Sequence, residues 1–478
     1  MPRYGRVTES TVNELEDVVG PENVTTRPEE IICYMRDSSP FRFKADVIVR
    51  PTSAEQVSSI LKLADRYRIP VTPRGAGTGV AGAALPVLGG IVLDMYRMNR
   101  IIEVDVDNQM VLVEPGVVCD VLNDVLLKHG YFFPPDPASS PACTIGGMVG
   151  TDAAGNKAMK YGSTRAFVLW LEVVLANGEI VYTGSKTLKS VSGFDLTRLM
   201  VGSEGSLGVF TKICLKITPL PRCYATAVFV YDSIESLARS ALKVRRSGIM
   251  PEMMEFMNEK TVKTALEYAG IRDFPEGSFM MIDIGGENRE AVASTLRKCV
   301  DICRGENPKY VEETEDETRR LDFISARKAA LPALARIRPT TSMEDCTVPP
   351  SKLPEAAARI EEIPCQLGVD GFELGNFGHI GDGNMHPTFL YDERVEEQSE
   401  AFFQALEILY NQIVLPLGGS ITAEHGVGLI RAPFIGREHP TTVELMRRMK
   451  KFFDPNLILN PGKGKGGPYS SGGRGHAR

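Results

Sequence analysis

Apolar and polar positions follow two textures along this chain, and the change falls near Cys223. Ahead of it, short apolar runs alternate with helical stretches. Thr52-Ser53-Ala54-Glu55 fits a capping box, a hydroxyl three residues before an acid. It opens a helix in which Val57, Ile60, Leu61 and Ala64 fall on one face. Strands are predicted over 70–73, 91–95 and 110–113, with a helix over 120–128. Beyond Cys223, strands over 226–231, 279–284 and 309–312 are separated by helices over 234–246, 258–269 and 289–303. That order reads as an α+β unit, an antiparallel sheet with helices on one face. Helices over 318–335 and 352–367 follow, and a last one spans 441–453. After Lys463 the residues are mostly Gly, Ser and basic, a composition that predicts disorder.

Length and composition narrow the class. A chain of 478 residues exceeds one ordinary core, so two or three domains are expected. A net charge of −7 argues against nucleic acid as the main ligand. No apolar run approaches the roughly 20 residues of a membrane span, and the first residues lack the apolar core of a signal peptide. The nine cysteines are scattered without a Cys-x-x-Cys pair, which removes a zinc knuckle or an iron–sulfur cluster. Cys299 and Cys303, at helical spacing, read as small core residues. The expectation is a cytoplasmic protein that is not an integral membrane protein.

The chemistry concentrates late in the chain. Of six histidines, His379 and His386 lie in Gly378-His379-Ile380-Gly381-Asp382-Gly383-Asn384-Met385-His386, and His425 lies in Glu424-His425-Gly426. Two imidazoles and a carboxylate are a usual set for a catalytic metal with an open position. Seven residues on a helix separate two side chains by about 10 Å along the axis, too far to share one ion. On a straight strand an odd spacing puts them on opposite faces. The chain must therefore bend between them, and Gly378, Gly381 and Gly383 permit it. His379, His386 and Glu424 are the candidate ligands of a divalent metal, and the set does not separate zinc, manganese and iron. The alternative is a glycine-rich turn carrying two surface histidines.

A second motif, Gly77-Thr78-Gly79-Val80-Ala81-Gly82, matches G-x-G-x-x-G after a strand. A dinucleotide fold of the NAD type needs a helix to open here. Pro86 and Gly89-Gly90 interrupt any such helix. The stretch Pro73-Arg74-Gly75-Ala76-Gly77-Thr78-Gly79 still suits a phosphate, because successive glycines let backbone N–H groups converge on an anion.

This loop resembles the pyrophosphate loop of the flavoproteins related to vanillyl-alcohol oxidase and p-cresol methylhydroxylase. Val113-Glu114-Pro115-Gly116, Pro134-Pro135-Asp136-Pro137, the stretch Thr144 to Gly155 and Gly202-Ser203-Glu204-Gly205-Ser206-Leu207-Gly208-Val209 resemble that family's later segments, in order. The C-terminal motifs, with Asn460-Pro461-Gly462-Lys463, narrow the resemblance to one branch. That branch groups the FAD-carrying chains of glycolate oxidases with D-lactate dehydrogenase and D-2-hydroxyglutarate dehydrogenase. The resemblance covers roughly residues 40–463.

The resemblance implies a PCMH-type, two-subdomain FAD-binding fold over 1–221 and an α+β substrate domain with an antiparallel sheet and the metal site over 222–440. A C-terminal segment over 441–463 would return to the FAD domain, leaving 464–478 as the disordered tail. Implied FAD contacts are Arg74, Gly75, Ala76, Gly77, Thr78, Gly79, Gly82, Pro135, Asp136, Thr144, Gly146, Gly147, Thr151, Gly155, Glu204, Gly208, Val209 and Asn460. Relatives that bind FAD covalently use a histidine in the pyrophosphate loop. Thr78 stands in that neighbourhood here, so non-covalent FAD is expected. Asp152 departs from the Thr-Asn-Ala-Gly-Gly pattern of the family.

The implied reaction is oxidation of a D-2-hydroxy acid to the 2-keto acid by hydride transfer to flavin N5. His379, His386 and Glu424 would hold the metal, and His425 would take the hydroxyl proton. Arg327 falls where the family carries its carboxylate-binding arginine. Asn384 would serve the substrate or the ligand shell, with a turn-stabilising role as the alternative. Leu331 and Met343 occupy positions where dicarboxylate-specific relatives carry polar and cationic residues, which favours a lactate-like acid. Arg336 or Arg338 could supply a missing charge. The alternatives are a D-2-hydroxyglutarate or glycolate enzyme within a larger complex, a non-catalytic FAD-carrying component, and a non-haem metal oxygenase or hydrolase. An electron-transfer flavoprotein or an iron–sulfur protein is the expected kind of acceptor, and a homodimer is compatible with the sequence.

Overall fold

The computed structural model describes residues 4–271 and 274–463, and the predicted tail over 464–478 lies outside them. The chain forms two compact units. One comprises Met1–Ala154, Ser163–Leu220 and Glu424–Arg478, the other Gly155–Gly162 and Pro221–Ala423. Two boundaries differ from the sequence expectation. Residues 155–162 join the second unit, and that unit closes at Ala423, so 424–440 belongs with the first. The cause is local: the Leu429 and Ile430 amides donate to Ala81 O, which ties this stretch to the glycine loop.

In the first unit, the predicted helix spans Ala54–Tyr67. Its cap is Ser53 rather than Thr52. The Ser53 hydroxyl accepts from the Gln56 amide, while Gln56 Oε1 accepts from the Thr52 amide. Such a cap contributes about 1 kcal/mol. The apolar face packs on a four-stranded sheet ordered Val24–Thr25, Val47–Val49, Ile91–Asp94, Val71–Arg74. The last three strands run parallel. No helix lies between Gly82 and Ile91, so the NAD-type reading of the glycine motif fails as Pro86 and Gly89-Gly90 require. An antiparallel five-stranded sheet follows, ordered Ile101–Asp105, Met110–Val113, Val209–Lys216, Val168–Val174, Ile180–Gly184. After the helix Val443–Phe453 the chain returns to the edge of the first sheet. Val71 donates to Ile458 O at 2.8 Å, and Asn460 donates to Val71 O at 2.7 Å. Lys450 is buried and fixes this return by donating to Ser206 O, Leu459 O and the Asp454 carboxylate.

The second unit is an antiparallel sheet ordered Tyr310–Thr314, Cys223–Tyr231, Ser278–Gly286, Met253–Met257, Glu373–His379, Asn384–Tyr391, Thr340–Met343. The short strand Cys346–Thr347 also pairs with Asn384–Tyr391. Helices cover both faces rather than one. Phe323 and Ala326 of the helix Glu317–Lys328 pack with Val228 and Met281. The helix Arg289–Arg304 lies against the same two strands, with Cys303 beside Tyr231, whose side chain alternates with that of Val228. The continuous apolar runs in these strands are the signature of two-sided burial. The helix expected over 318–335 breaks into Glu317–Lys328 and Ala330–Leu334. Pro332 has no N–H to donate to the Lys328 carbonyl. The helix over 352–367 likewise breaks into Leu353–Glu361 and Ile363–Leu367, with Pro364 at the start of the second piece. Among the described residues no helix is long and apolar enough to cross a membrane.

Candidate active site

The bend demanded by the histidine spacing is a β-hairpin. His379 ends one strand, residues 380–383 turn, and Asn384 begins the next, with His379 opposite Asn384 and Phe377 opposite His386. Gly383 takes φ +88° in that turn, and a Cβ there would meet Val348 O at 2.5 Å. His379 lies two residues from Phe377 and so shares its face with His386 as a diagonal neighbour. The two imidazole centroids are 5.1 Å apart, nearly perpendicular, and both side chains are buried.

Each histidine backs onto a buried carboxylate. His379 Nδ1 donates to Glu255, at 2.7 and 2.9 Å from its two oxygens. His386 Nδ1 stands 3.5 Å from Asp345 Oδ1. A carboxylate hydrogen-bonded to an imidazole, as Glu255 is to His379, fixes ring orientation and raises ligand basicity in metal sites. Glu255 also faces Arg327, whose Nη2 lies 2.8 Å from Oε2, close as an ion pair though not aligned as a hydrogen bond. Arg327 is 3% exposed, which rules out a solvated helix-face charge. Its guanidinium lies 4.9 Å over the Phe377 ring. Arg327 Nε is buried with no hydrogen-bond partner among the described residues. A buried guanidinium donor with no acceptor is costly, and an anionic ligand would relieve it.

Asn384 donates through Nδ2 to Asp345 Oδ1 at 2.6 Å and to Cys346 O at 2.9 Å. Asp345 in turn accepts from the Thr422 hydroxyl and the Ala423 amide. Asp345 thus joins the hairpin to the residue directly before Glu424. Sequence reasoning gave Asp345 no role, and it missed Glu255. The available signal for Glu255 was a single carboxylate within the apolar run Met253–Met257. Leu331 and Met343 pack against the core of this unit. Neither nearby arginine is idle. Arg338 forms an ion pair with Glu373, and Arg336 lies over Tyr268 at 5.6 Å.

In the first unit, the strand Val71–Arg74 runs into the glycine loop. Arg74 donates to Ala84 O and Arg36 O, so it braces the loop from behind. Gly77 sits at φ +71°, where a Cβ would collide with the Arg74 guanidinium. The N–H groups of Ala76, Gly77, Thr78 and Gly79 make no hydrogen bond among the described residues. A run of undirected amides ending a strand is a ready anion cradle, which fits a pyrophosphate. Thr144 caps the helix Ile145–Thr151 by accepting from Gly147, and Gly75 approaches Thr144 so closely that a Cβ would lie 2.2 Å from Oγ1. Gly146 packs on Pro115, and Thr151 donates to Gly147 O. Pro135 O faces the Cys119 thiol, the Asp136 amide donates to Ala154 O, and Gly155 opens the piece of chain that belongs to the second unit. Asp152 is the left-handed cap of that helix at φ +58°, and its carboxylate pairs with Arg165. Its charge is thereby matched within the protein.

Glu204 and Asn460, both among the expected flavin contacts, also brace backbone. Glu204 accepts from the Val427 and Gly428 amides, at 2.6 and 3.0 Å. Burial pushes its carboxyl above the usual range, and those amides act against the shift. Glu204 therefore clamps the backbone just past His425. Asn460 donates to Ala83 O and Glu204 O, bracing the same corner. Gly208 and Val209 start the strand Val209–Lys216, and Gly82 packs against Leu429.

Comparison with known proteins gives the family. Residues 220–464 match the family described as FAD linked oxidases, C-terminal domain, and residues 45–184 match the FAD binding domain. The chain is 36% identical to glycolate oxidase subunit GlcD of Bacillus subtilis, over 96% of this chain and 97% of that protein. It is also 36% identical to a D-lactate dehydrogenase of Archaeoglobus fulgidus, over 87% of this chain and 90% of that one. Among solved structures, p-cresol methylhydroxylase with substrate bound superposes with a TM-score of 0.78 at 18% identity, covering 96% of this chain and 97% of that one. A 4-ethylphenol oxidase from Gulosibacter chungangensis gives 0.76 at 17%, covering 98% and 99%. These two share the fold, and the sequence relatives set the kinship. The metal oxygenase or hydrolase alternative falls with them, because it leaves the flavin domain without a purpose. The chain belongs to the FAD-linked oxidase family and is an FAD-linked oxidoreductase with a PCMH-type fold.

Proposed function

We propose that this protein oxidises a small D-2-hydroxy acid, lactate-like with a short or apolar side chain, to the corresponding 2-keto acid. One observation carries the reading: Glu255 joins His379, a metal-type ligand on the hairpin, to Arg327, a buried guanidinium with an unpartnered N–H. When bound, non-covalent FAD supplies the hydride acceptor at N5, and a divalent ion supplies Lewis acidity toward the substrate hydroxyl. His379, His386 and Glu424 would hold that ion. With Nδ1 hydrogen-bonded to Glu255, His379 would ligate through Nε2. Arg327 receives the substrate carboxylate. His425, on the backbone clamped by Glu204, takes the hydroxyl proton, a task suited to an imidazole. Asn384 keeps Asp345 oriented behind His386. An acceptor protein such as an electron-transfer flavoprotein or an iron–sulfur protein would take the electrons onward.

The site argues against a second carboxylate on the substrate. Leu331 and Met343 cannot pair with an anion, and Arg336 and Arg338 already have partners. An uncompensated buried charge rejects a substrate strongly. We expect D-lactate and D-2-hydroxybutyrate to bleach the flavin anaerobically, with kcat/KM above that for D-2-hydroxyglutarate, and metal analysis of the same sample to find a divalent ion. A preference for the dicarboxylate would overturn the size assignment. Failure of all 2-hydroxy acids to bleach the flavin would overturn the reaction itself.

The flavin should be non-covalent, since the glycine loop offers Thr78 and no histidine. Acid precipitation is expected to release all FAD into the supernatant. Yellow colour retained in the washed pellet would contradict this.

A further inference from the structure

The loop that follows His425 is held amide by amide. The Val427 amide donates to Glu204 Oε1 at 2.6 Å, and the Gly428 amide to Glu204 Oε2 at 3.0 Å. The Leu429 and Ile430 amides donate to Ala81 O at 2.7 and 3.4 Å, and the Arg431 amide donates to Val427 O at 3.1 Å. Every amide from 427 to 431 therefore has a fixed acceptor. The Arg431 side chain closes the loop by donating through Nη1 to Gly426 O at 3.1 Å. Arg431 is fully buried, and it is among the charges that oppose the upward push of burial on the Glu204 carboxyl. Both flanks are tight. A Cβ at Gly426 would lie 2.6 Å from Glu204 Oε1, and one at Gly428 would lie 2.1 Å from Ala81 O. Glu204 is itself anchored elsewhere in the same unit. Its amide donates to Gly150 O at 2.7 Å, in the helix Ile145–Thr151, and its carbonyl accepts from Asn460 at 2.6 Å. Its φ of +50° is left-handed, which is uncommon for a residue with a side chain. Such conformations persist where the surroundings over-determine them, and they cluster at functional sites.

We infer that Glu204 and Arg431 are positioning residues for the reaction, which together hold the His425 loop in a fixed place relative to the helix Ile145–Thr151. The inference rests on the proton-accepting role proposed for His425. The hydroxyl proton and the Cα hydride leave adjacent atoms of the substrate, so the imidazole has to keep register with the flavin-binding elements. A misplacement of about 1 Å in such a group costs up to about 10²-fold in rate. The two side chains work from different groups of the loop. Glu204 gathers the amides just past Gly426, and Arg431 holds the Gly426 carbonyl, next to His425 itself. Both act through the loop backbone. The backbone of Glu204 carries the restraint onward to Gly150 and Asn460.

The test follows anaerobic flavin reduction by D-lactate in the FAD-loaded parent and in Glu204→Ala, Glu204→Gln, Arg431→Met and Arg431→Lys. Saturating divalent ion keeps any change at Glu424 out of the rate. Glu204→Ala and Arg431→Met are expected to lower the limiting rate of reduction by about 10–10²-fold, with the half-saturating substrate concentration nearly unchanged and FAD retained. Arg431→Lys keeps a donor and a charge and should recover most of the rate. Glu204→Gln keeps one acceptor oxygen and should fall between the parent and the alanine variant. Hydrogen exchange should speed up at amides 427–430 in Glu204→Ala, while the strand Val209–Lys216 stays protected. Parent-like limiting rates in both truncated variants would overturn the proposal, as would a loss confined to the half-saturating concentration. Release of FAD from Glu204→Ala would make Glu204 a cofactor-binding residue and overturn it too. Should the alanine variant fail to fold, an unchanged limiting rate in Glu204→Gln would do the same. Failure of the parent to react with any 2-hydroxy acid is a separate outcome, which removes the proposed reaction and this inference with it.

Discussion

Replacing His386 with alanine is expected to abolish turnover and strip the divalent ion while leaving FAD bound. The separation follows from where the groups sit. His386 belongs to the hairpin strand Asn384–Tyr391 of the second unit, whereas the amide cradle at 76–79 and the Thr144-capped helix belong to the first. His386 is buried against His379 and Phe377, so alanine removes a ring and leaves a cavity as well as a missing ligand. Chelation of the parent protein should reproduce the kinetic loss without the cavity, and added divalent ion should restore activity only to the parent. Full activity in a metal-free sample would refute the role given to the ion. Loss of FAD from the variant would show that the change acts through folding instead.

Glu255→Ala should be the most destabilising single change near the site. The carboxylate is fully buried and faces both Arg327 and His379. Alanine leaves the Arg327 guanidinium buried without a counter-charge, and breaking a buried pair from one side costs about 3–5 kcal/mol. It also frees the His379 ring to turn, and loss of such an outer partner typically weakens metal affinity about 10–100-fold. Glu255→Gln keeps volume and one acceptor, so it should recover much of the stability and little of the metal affinity. Denaturant melts read the first effect and equilibrium metal titration the second. Equal stability of Glu255→Ala and the parent protein would mean that Arg327 finds another partner, and the account of its burial would fail.

The sequence carried the histidine hairpin further than most of the site. Seven-residue spacing of two histidines could not share an ion on a helix or on a straight strand, so a bend was forced and glycines marked it. The partners behind the histidines were not legible in the same way. Glu255 lies 124 positions from His379, and only sheet pairing brings them together. Its one trace was a charge inside an apolar run. Asp152 looked anomalous because its motif position is usually uncharged. The structure resolves this through a left-handed helix cap, a conformation that Asp tolerates, and through Arg165, which no local pattern announces. The two broken helices were legible and misjudged. Pro332 and Pro364 carry the break in their chemistry, but apolar periodicity running through both points masked it. The hold of Glu204 on the Val427 and Gly428 amides was equally illegible, because its partners lie more than 220 positions away.

The return of the chain end to the Val71 edge also sets an order of events during synthesis. The second unit has all of its strands once residue Ala423 has been made. The parallel sheet of the first unit is begun early, yet its outer strand Val71–Arg74 stays uncovered until Ile458 and Asn460 arrive to bond it. The flavin-binding unit is therefore started first and finished last, with an unpaired strand edge throughout the interval. A nascent chain halted between Ala423 and Ile458 carries a complete second unit beside an unfinished first one. Such a chain offers chaperones and proteases an edge that the finished protein never presents.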